Sequence, residues 1–252
     1  MKNTGAPMEF HPFSPIHFLT VLIAAAITVT LCAAGRRGAE ASEFRLRSWW
    51  VRGIWVVQTL NLIYYATLRP VNFAECLPLH VCDIMGWVAG VSLATQHPWA
   101  RVASVYFGIC LCSQAFATPI VQVGPDTARF WLFFVGHLQI VGSAIYELAV
   151  LGFVPRWRHA GMAMVMLCLY GALMLPLNIA TTWNYGFVGN SAPEAPTIID
   201  ALGPWPHRLL WLFAITLALF TGFTLVSNGV RRLNELAGGG RAGGAAPGGV
   251  ER

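Results

Sequence analysis

The chain has 252 residues, 56% of them hydrophobic and only 11% charged, with a formal net charge of +5. Soluble domains carry about a quarter charged residues, so this composition excludes an ordinary water-soluble fold. The positive excess suits anionic lipid and calls for no nucleic-acid partner.

Seven stretches are apolar for long enough to cross a hydrocarbon core, which takes about 20 residues. In chain order they lie near 16–34, 49–68, 78–96, 99–117, 128–153, 160–180 and 206–227. The expected architecture is an all-α membrane protein, a bundle of seven transmembrane helices within residues 1–236. Arg101, Gln114 and the segment Pro119–Pro125 blur the ends of the fourth and fifth spans. The first span follows a start carrying only Lys2 and runs into Arg36-Arg37, a stop-transfer pattern that predicts a retained helix. Residues 35–48 mix Arg and Glu with Phe44 and Leu46 and read as a short interfacial helix. Trp49, Trp50, Trp99, Trp131, Trp157, Trp183, Trp205 and Trp211 fall near span ends, as in an aromatic belt. Residues 237–252 are rich in Gly and Ala and predict a disordered cytoplasmic tail.

Arginines set the expected orientation. With the N-terminus outside, the cytoplasmic side receives Arg36, Arg37, Arg45, Arg47, Arg52, Arg101, Arg156, Arg158, Arg231, Arg232, Arg241 and Arg252. The other side keeps Lys2, Arg69, Arg129 and Arg208. This positive-inside bias predicts the N-terminus out and the C-terminus in.

The third span opens with Cys76-Leu-Pro-Leu-His-Val-Cys-Asp-Ile-Met85. Ionisable groups at the mouth of an apolar helix are costly and mark a site by default. His80, Cys82 and Asp83 lie in the first turn or so after Pro78, where free N–H groups and the helix dipole favour a thiolate. The bland alternative is a buried thiol acting as a small hydrophobe, as expected for Cys32, Cys110, Cys112 and Cys168. If the helix starts at Pro78, Gly86 lies one turn above Cys82 and leaves room for a substrate. On such a helix His80 and Cys82 diverge by about 200°, so His80 is a poor base for Cys82. Asp83 shares a face with His80 and can orient it.

The better base is His137, in Phe133-Phe-Val-Gly-His-Leu-Gln139, about two and a half turns into the fifth span. Gly136 permits close helix packing beside it. Asn61 and Tyr64 or Tyr65 on the second span, Asn178 near the end of the sixth, and Asn184 and Tyr185 beyond it are supporting polar positions. Each suits an oxyanion donor or an interhelical contact. The loop near 181–205 is rich in aromatics, Gly and Pro and predicts a folded lid that excludes water.

Leu77-Pro-Leu-His-Val-Cys-Asp-Ile84, Phe133-Phe-Val-Gly-His137, Asn184-Tyr-Gly-Phe187 and Leu202-Gly-Pro-Trp-Pro206 together resemble the YwaF-like bacterial membrane proteins. That family is similar to the eukaryotic transmembrane protein 164. The resemblance covers the second to seventh spans and implies a lipid acyltransferase or acyl-ester hydrolase in a bacterial cytoplasmic (inner) membrane. It implies a phospholipid or lysophospholipid substrate, Cys82 as the acylated nucleophile, His137 as general base, and no cofactor. His80 and Asp83 match the motif without a firm role.

Two other classes stay open at this level. A transporter or channel would line its path with Asp83, Glu147 and Asn178. A metal protein would draw on Cys76, His80, Cys82 and Asp83 for zinc, or on His80 and His137 for haem, although the zinc spacing is irregular. A retinal protein needs an intramembrane lysine, and Lys2 is the sole lysine.

Overall fold

The computed structural model describes residues 8–191 and 198–242, and it is all-helical apart from one isolated β-bridge between Glu9 and Val123. Seven helices of 13 residues or more are present among the described residues. They are α1 (Pro15–Arg37), α2 (Glu40–Thr67), α4 (Val81–Thr95), α5 (Pro98–Cys110), α6 (Ala128–Ala149), α7 (Trp157–Thr181) and α8 (Arg208–Ala242). A single turn, α3 (Phe73–Cys76), precedes α4, and 3₁₀ turns occupy Cys112–Phe116, Tyr185–Phe187 and Ile198–Leu202. The tail expected to lack structure lies, from residue 243 onward, outside the described residues.

Five crossings are long and apolar enough to span a bilayer: α1, the α3–α4 unit Phe73–Thr95, α6, α7 and α8 to Glu235. The expectation of seven holds for the number of long helices, and among the described residues five of them are also long and apolar enough to be candidate spans. Helix α2 starts at Glu40, so residues 35–48 do not form a separate interfacial helix. Their charges join one 28-residue helix whose apolar part is further diluted by Gln58 and Asn61. Helix α5 stops after 13 residues, a rise of about 20 Å, and the chain tightens into the 3₁₀ turn at Cys112.

Helix α6 is the hub and packs against α1, α2, α4 and α5. Small residues set its closest approach to α5, where a Cβ on Gly108 would sit 2.8 Å from the Ala144 methyl. Helices α7 and α8 pair with each other and lean on α5. Their remaining faces are apolar and uncovered, with Leu169, Leu173, Leu210 and Val226 all more than 60% exposed. Apolar patches of that extent are lipid-facing surface in a multi-pass membrane protein.

One end of the bundle is closed by ion pairs. Glu147 of α6 is fully buried and accepts from Arg101 at 2.8 Å, from Ser92 at 2.6 Å and from Gln96 at 3.3 Å. Beside it, Arg47 pairs with Glu43 at 2.9 Å and donates to the Leu93 carbonyl, while Tyr146 donates to Glu43. The opposite end is capped by the N-terminal segment. Phe10 bonds the Gln122 carbonyl and packs edge-on against Phe130 and Phe134.

Candidate active site

The third crossing is broken where the sequence places its chemistry. Helix α4 has 15 residues and rises about 22 Å, short of a hydrocarbon core of about 30 Å. The turn α3 and the extended Leu77–His80 segment make up the remainder. Irregular backbone at membrane depth is tolerated only where protein covers it or a cavity adjoins it. Here protein covers it: Tyr170 of α7 donates to the Leu79 carbonyl at 2.9 Å and Tyr185 donates to the Phe73 carbonyl at 3.3 Å.

The helix therefore begins at Val81 and not at Pro78, because Pro78 and the residues around it are extended. His80 is the N-cap, outside the helix, and its N–H donates to the Asp83 carboxylate at 3.2 Å. The 200° divergence expected between His80 and Cys82 does not apply to a residue ahead of the first turn. The His80 ring stands edge-on to Tyr185 at 4.9 Å and lies 6.4 Å from Phe187. Asp83 thus caps the helix and holds the backbone of His80, a positioning contact.

Cys82 is the second residue of α4, where the N–H groups of Val81 and Cys82 have no intrahelical acceptor. Cys82 is half-buried, and its electrostatic neighbours include His137 of α6 and Cys112 of the 3₁₀ turn. His137 is buried, and its Nδ1 lies 2.7 Å from the Phe133 carbonyl one turn back. A carbonyl only accepts, so Nδ1 carries the proton and the lone pair sits on Nε2. That is the tautomer a base for a neighbouring thiol requires.

Gly86 differs from expectation. A Cβ there would overlap the Gln58 amide, so the room above Cys82 is occupied by Gln58 of α2. Gln58, Asn61 and Asp83 border a crevice of about 10 Å³, enough for roughly one water molecule. On another face of α4, an apolar cleft of about 210 Å³ runs from Val81 past Met85 and Val88 to Trp99, walled by Met166 and Tyr170 of α7. Neither Cys82 nor His137 lines either hollow.

The lid is folded. Buried Asn178 donates to the Tyr185 carbonyl and accepts from its N–H, both at 2.9 Å. Asn184 bonds the Ser191 carbonyl at 2.6 Å and accepts from the Gly189 N–H at 2.9 Å. Arg208 donates to the Gly189 carbonyl. Burial and the nearby Asp83 and Cys76 push the Tyr185 phenol up to about 12, so it stays a protonated donor. Asn178, Asn184 and Tyr185 therefore build the cover over His80. Tyr64 packs edge-on against Tyr65 at 5.3 Å within α2, and Arg129 of α6 is an electrostatic neighbour of Tyr65.

Sequence reasoning missed Cys112 as a neighbour of Cys82, and it missed Tyr170. Cys112 had one usable signal: in an up-down bundle it falls near the same end as Cys82. Tyr170 had none, because its role depends on the bend at Pro78. Among the described residues no group of three or more His, Cys, Asp and Glu side chains is arranged to hold a metal ion.

A family model, that of the TMEM164 family, matches residues 12–224. The chain belongs to the TMEM164 family. That match takes in the first six long helices, α8 as far as Thr224, and every residue of the Cys82 cluster. Among curated proteins and solved structures, nothing matches this TMEM164 family member.

Proposed function

We propose that this protein is an integral-membrane lipid acyltransferase, or an acyl-ester hydrolase, working through a thioester on Cys82 with His137 as general base. The observation that carries the reading is that Cys82 of α4 and His137 of α6 are electrostatic neighbours, with the imidazole held in the basic tautomer by the Phe133 carbonyl. His137 Nε2 takes the thiol proton as sulfur attacks the ester carbonyl of a phospholipid. The N–H groups of Val81 and Cys82 face the developing oxyanion at the positive end of the α4 dipole. On collapse, the leaving alcohol takes the proton from His137 and departs as a lysophospholipid. A lysophospholipid hydroxyl or water then gives its proton to His137 and attacks the thioester, and Cys82 leaves as a thiol.

The arginine asymmetry supports an orientation with the Cys82 end away from the cytoplasm, and the resemblance to bacterial membrane proteins supports a bacterial inner membrane. A conduit reading has less support. Glu147, which would line a path, is fully buried and accepts from Ser92, Gln96 and Arg101.

The test is intact-protein mass spectrometry after incubation with phospholipid vesicles. A hydroxylamine-sensitive acyl adduct on Cys82 is expected. Cys82→Ser should lose the thioester outright, and His137→Ala should slow its formation by about 100-fold or more, the usual weight of a general base. Lipid turnover by wild-type protein with Cys82 unmodified and inert to acylating probes would end the proposal.

A further inference from the structure

Cys112 is fully buried, whereas Cys82 is half-buried and packs against the apolar cluster that holds Cys112, where the two thiols are electrostatic neighbours. Nothing in the acyl-transfer cycle uses Cys112. Its neighbour in sequence, Cys110, points elsewhere and donates to the Leu219 carbonyl of α8 at 3.9 Å. Cys76 is also half-buried and borders the crevice on the Asp83 side of α4. Cys112 is thus brought into the neighbourhood of Cys82 by the break between α5 and the 3₁₀ turn.

We infer that Cys82 and Cys112 form an oxidative modification site, in which a peroxide oxidises Cys82 and Cys112 closes a disulfide that masks it. Cys82, the less buried residue of the two, reacts first. The Cys82 thiolate attacks one oxygen of hydrogen peroxide, the O–O bond breaks, and sulfur is oxidised to a sulfenic acid. The departing hydroxide takes from His137 the proton that Cys82 had given up, and leaves as water. The Cys112 sulfur then attacks the sulfenic sulfur, the S–O bond breaks, and oxygen leaves as a second water with the Cys112 proton. In sum, two thiols and one hydrogen peroxide give one disulfide and two waters. The two neighbouring thiols must approach each other to reach the disulfide length of about 2.05 Å. Burial of Cys112 keeps it reduced until Cys82 presents the electrophile. The consequence, loss of the nucleophile until a thiol reductant restores it, rests on the function proposed above; the cross-link itself does not.

The experiment uses the full chain in lipid nanodiscs. Hydrogen peroxide is added, free thiols are blocked with N-ethylmaleimide, and non-reduced peptides are mapped by mass spectrometry. Expected is a linked peptide pair joining Cys82 to Cys112, two hydrogens lighter than the thiols and abolished by dithiothreitol. In Cys112→Ser the link should vanish and dimedone should trap a sulfenic acid on Cys82, while Cys110→Ala should leave the link intact. Cys82 found linked to Cys76, left as a free thiol, or driven to sulfinic acid with Cys112 still alkylated would overturn the inference. The wild-type result stands even if Cys112→Ser misfolds. A cross-link without any acyl adduct in reduced protein would sink the acyltransferase reading alone, and an acyl adduct without a cross-link would sink this one alone.

Discussion

Cys82 shows how little of a residue's chemistry its own side chain supplies. An isolated thiol is a weak nucleophile at neutral pH, and a thiol facing a lone pair on imidazole is a far better one. The Phe133 carbonyl creates that lone pair by fixing Nδ1 as the donor at 2.7 Å. Gln58 acts at the same scale, filling the notch left by Gly86 and lying 4.0 Å from where a Cβ on Gly136 would sit. Gly86→Ala forces the Gln58 amide out of this seam, and we expect a loss of about 1–3 kcal/mol, the usual result of overpacking. Thermal unfolding in detergent checks this, and a second substitution, Gln58→Ala, should recover part of the loss through coupling of contacting residues.

At the scale of elements, the break between α3 and α4 is the decisive feature. It lets α4 begin beside His137, about 14 Å into α6, and not level with the start of that helix. Two contacts hold it: Tyr170 on the Leu79 carbonyl and the Asn178–Tyr185 pair above. Asn178→Ala strands a buried N–H and carbonyl of Tyr185, at about 1–3 kcal/mol for each group left unsatisfied. The lid should loosen, so maleimide labelling of Cys82 in nanodiscs should accelerate several-fold. An unchanged labelling rate would mean that the lid does not control access to the thiol. Tyr170→Phe removes one hydrogen bond while keeping the ring, and a smaller loss of about 1 kcal/mol is expected.

Across the whole molecule, the two ends do different work around one hub. The Cys82 end carries irregular backbone and the lid, and the far end carries the Glu147–Arg101 and Glu43–Arg47 pairs. Removing one partner of a buried pair leaves the other charge uncompensated, at about 3–5 kcal/mol. Glu147→Ala is therefore expected to lower the unfolding temperature more than any substitution in the lid. Replacing both partners, with Glu147→Leu and Arg101→Met, should cost less than Glu147→Ala alone. Orientation is testable with the sole lysine, Lys2. A membrane-impermeant amine reagent on intact cells should label it if the N-terminus faces outward, and should spare it until lysis if the arginine reading is inverted.

Membrane residence, the number of long helices and the candidate residues Cys82 and His137 were legible in the sequence. Hydrocarbon length and the cost of ionisable groups are local rules that a linear string obeys. The span count was less legible, because α2 mixes its charges and amides into an apolar helix and α5 stops early. The capping role of His80, the amide of Gln58 in the Gly86 notch and the meeting of Cys82 with Cys112 were decided only by the tertiary structure. Each depends on where one helix breaks and what a neighbouring helix places there. Periodicity within a helix carries no information about the height at which that helix stands beside another.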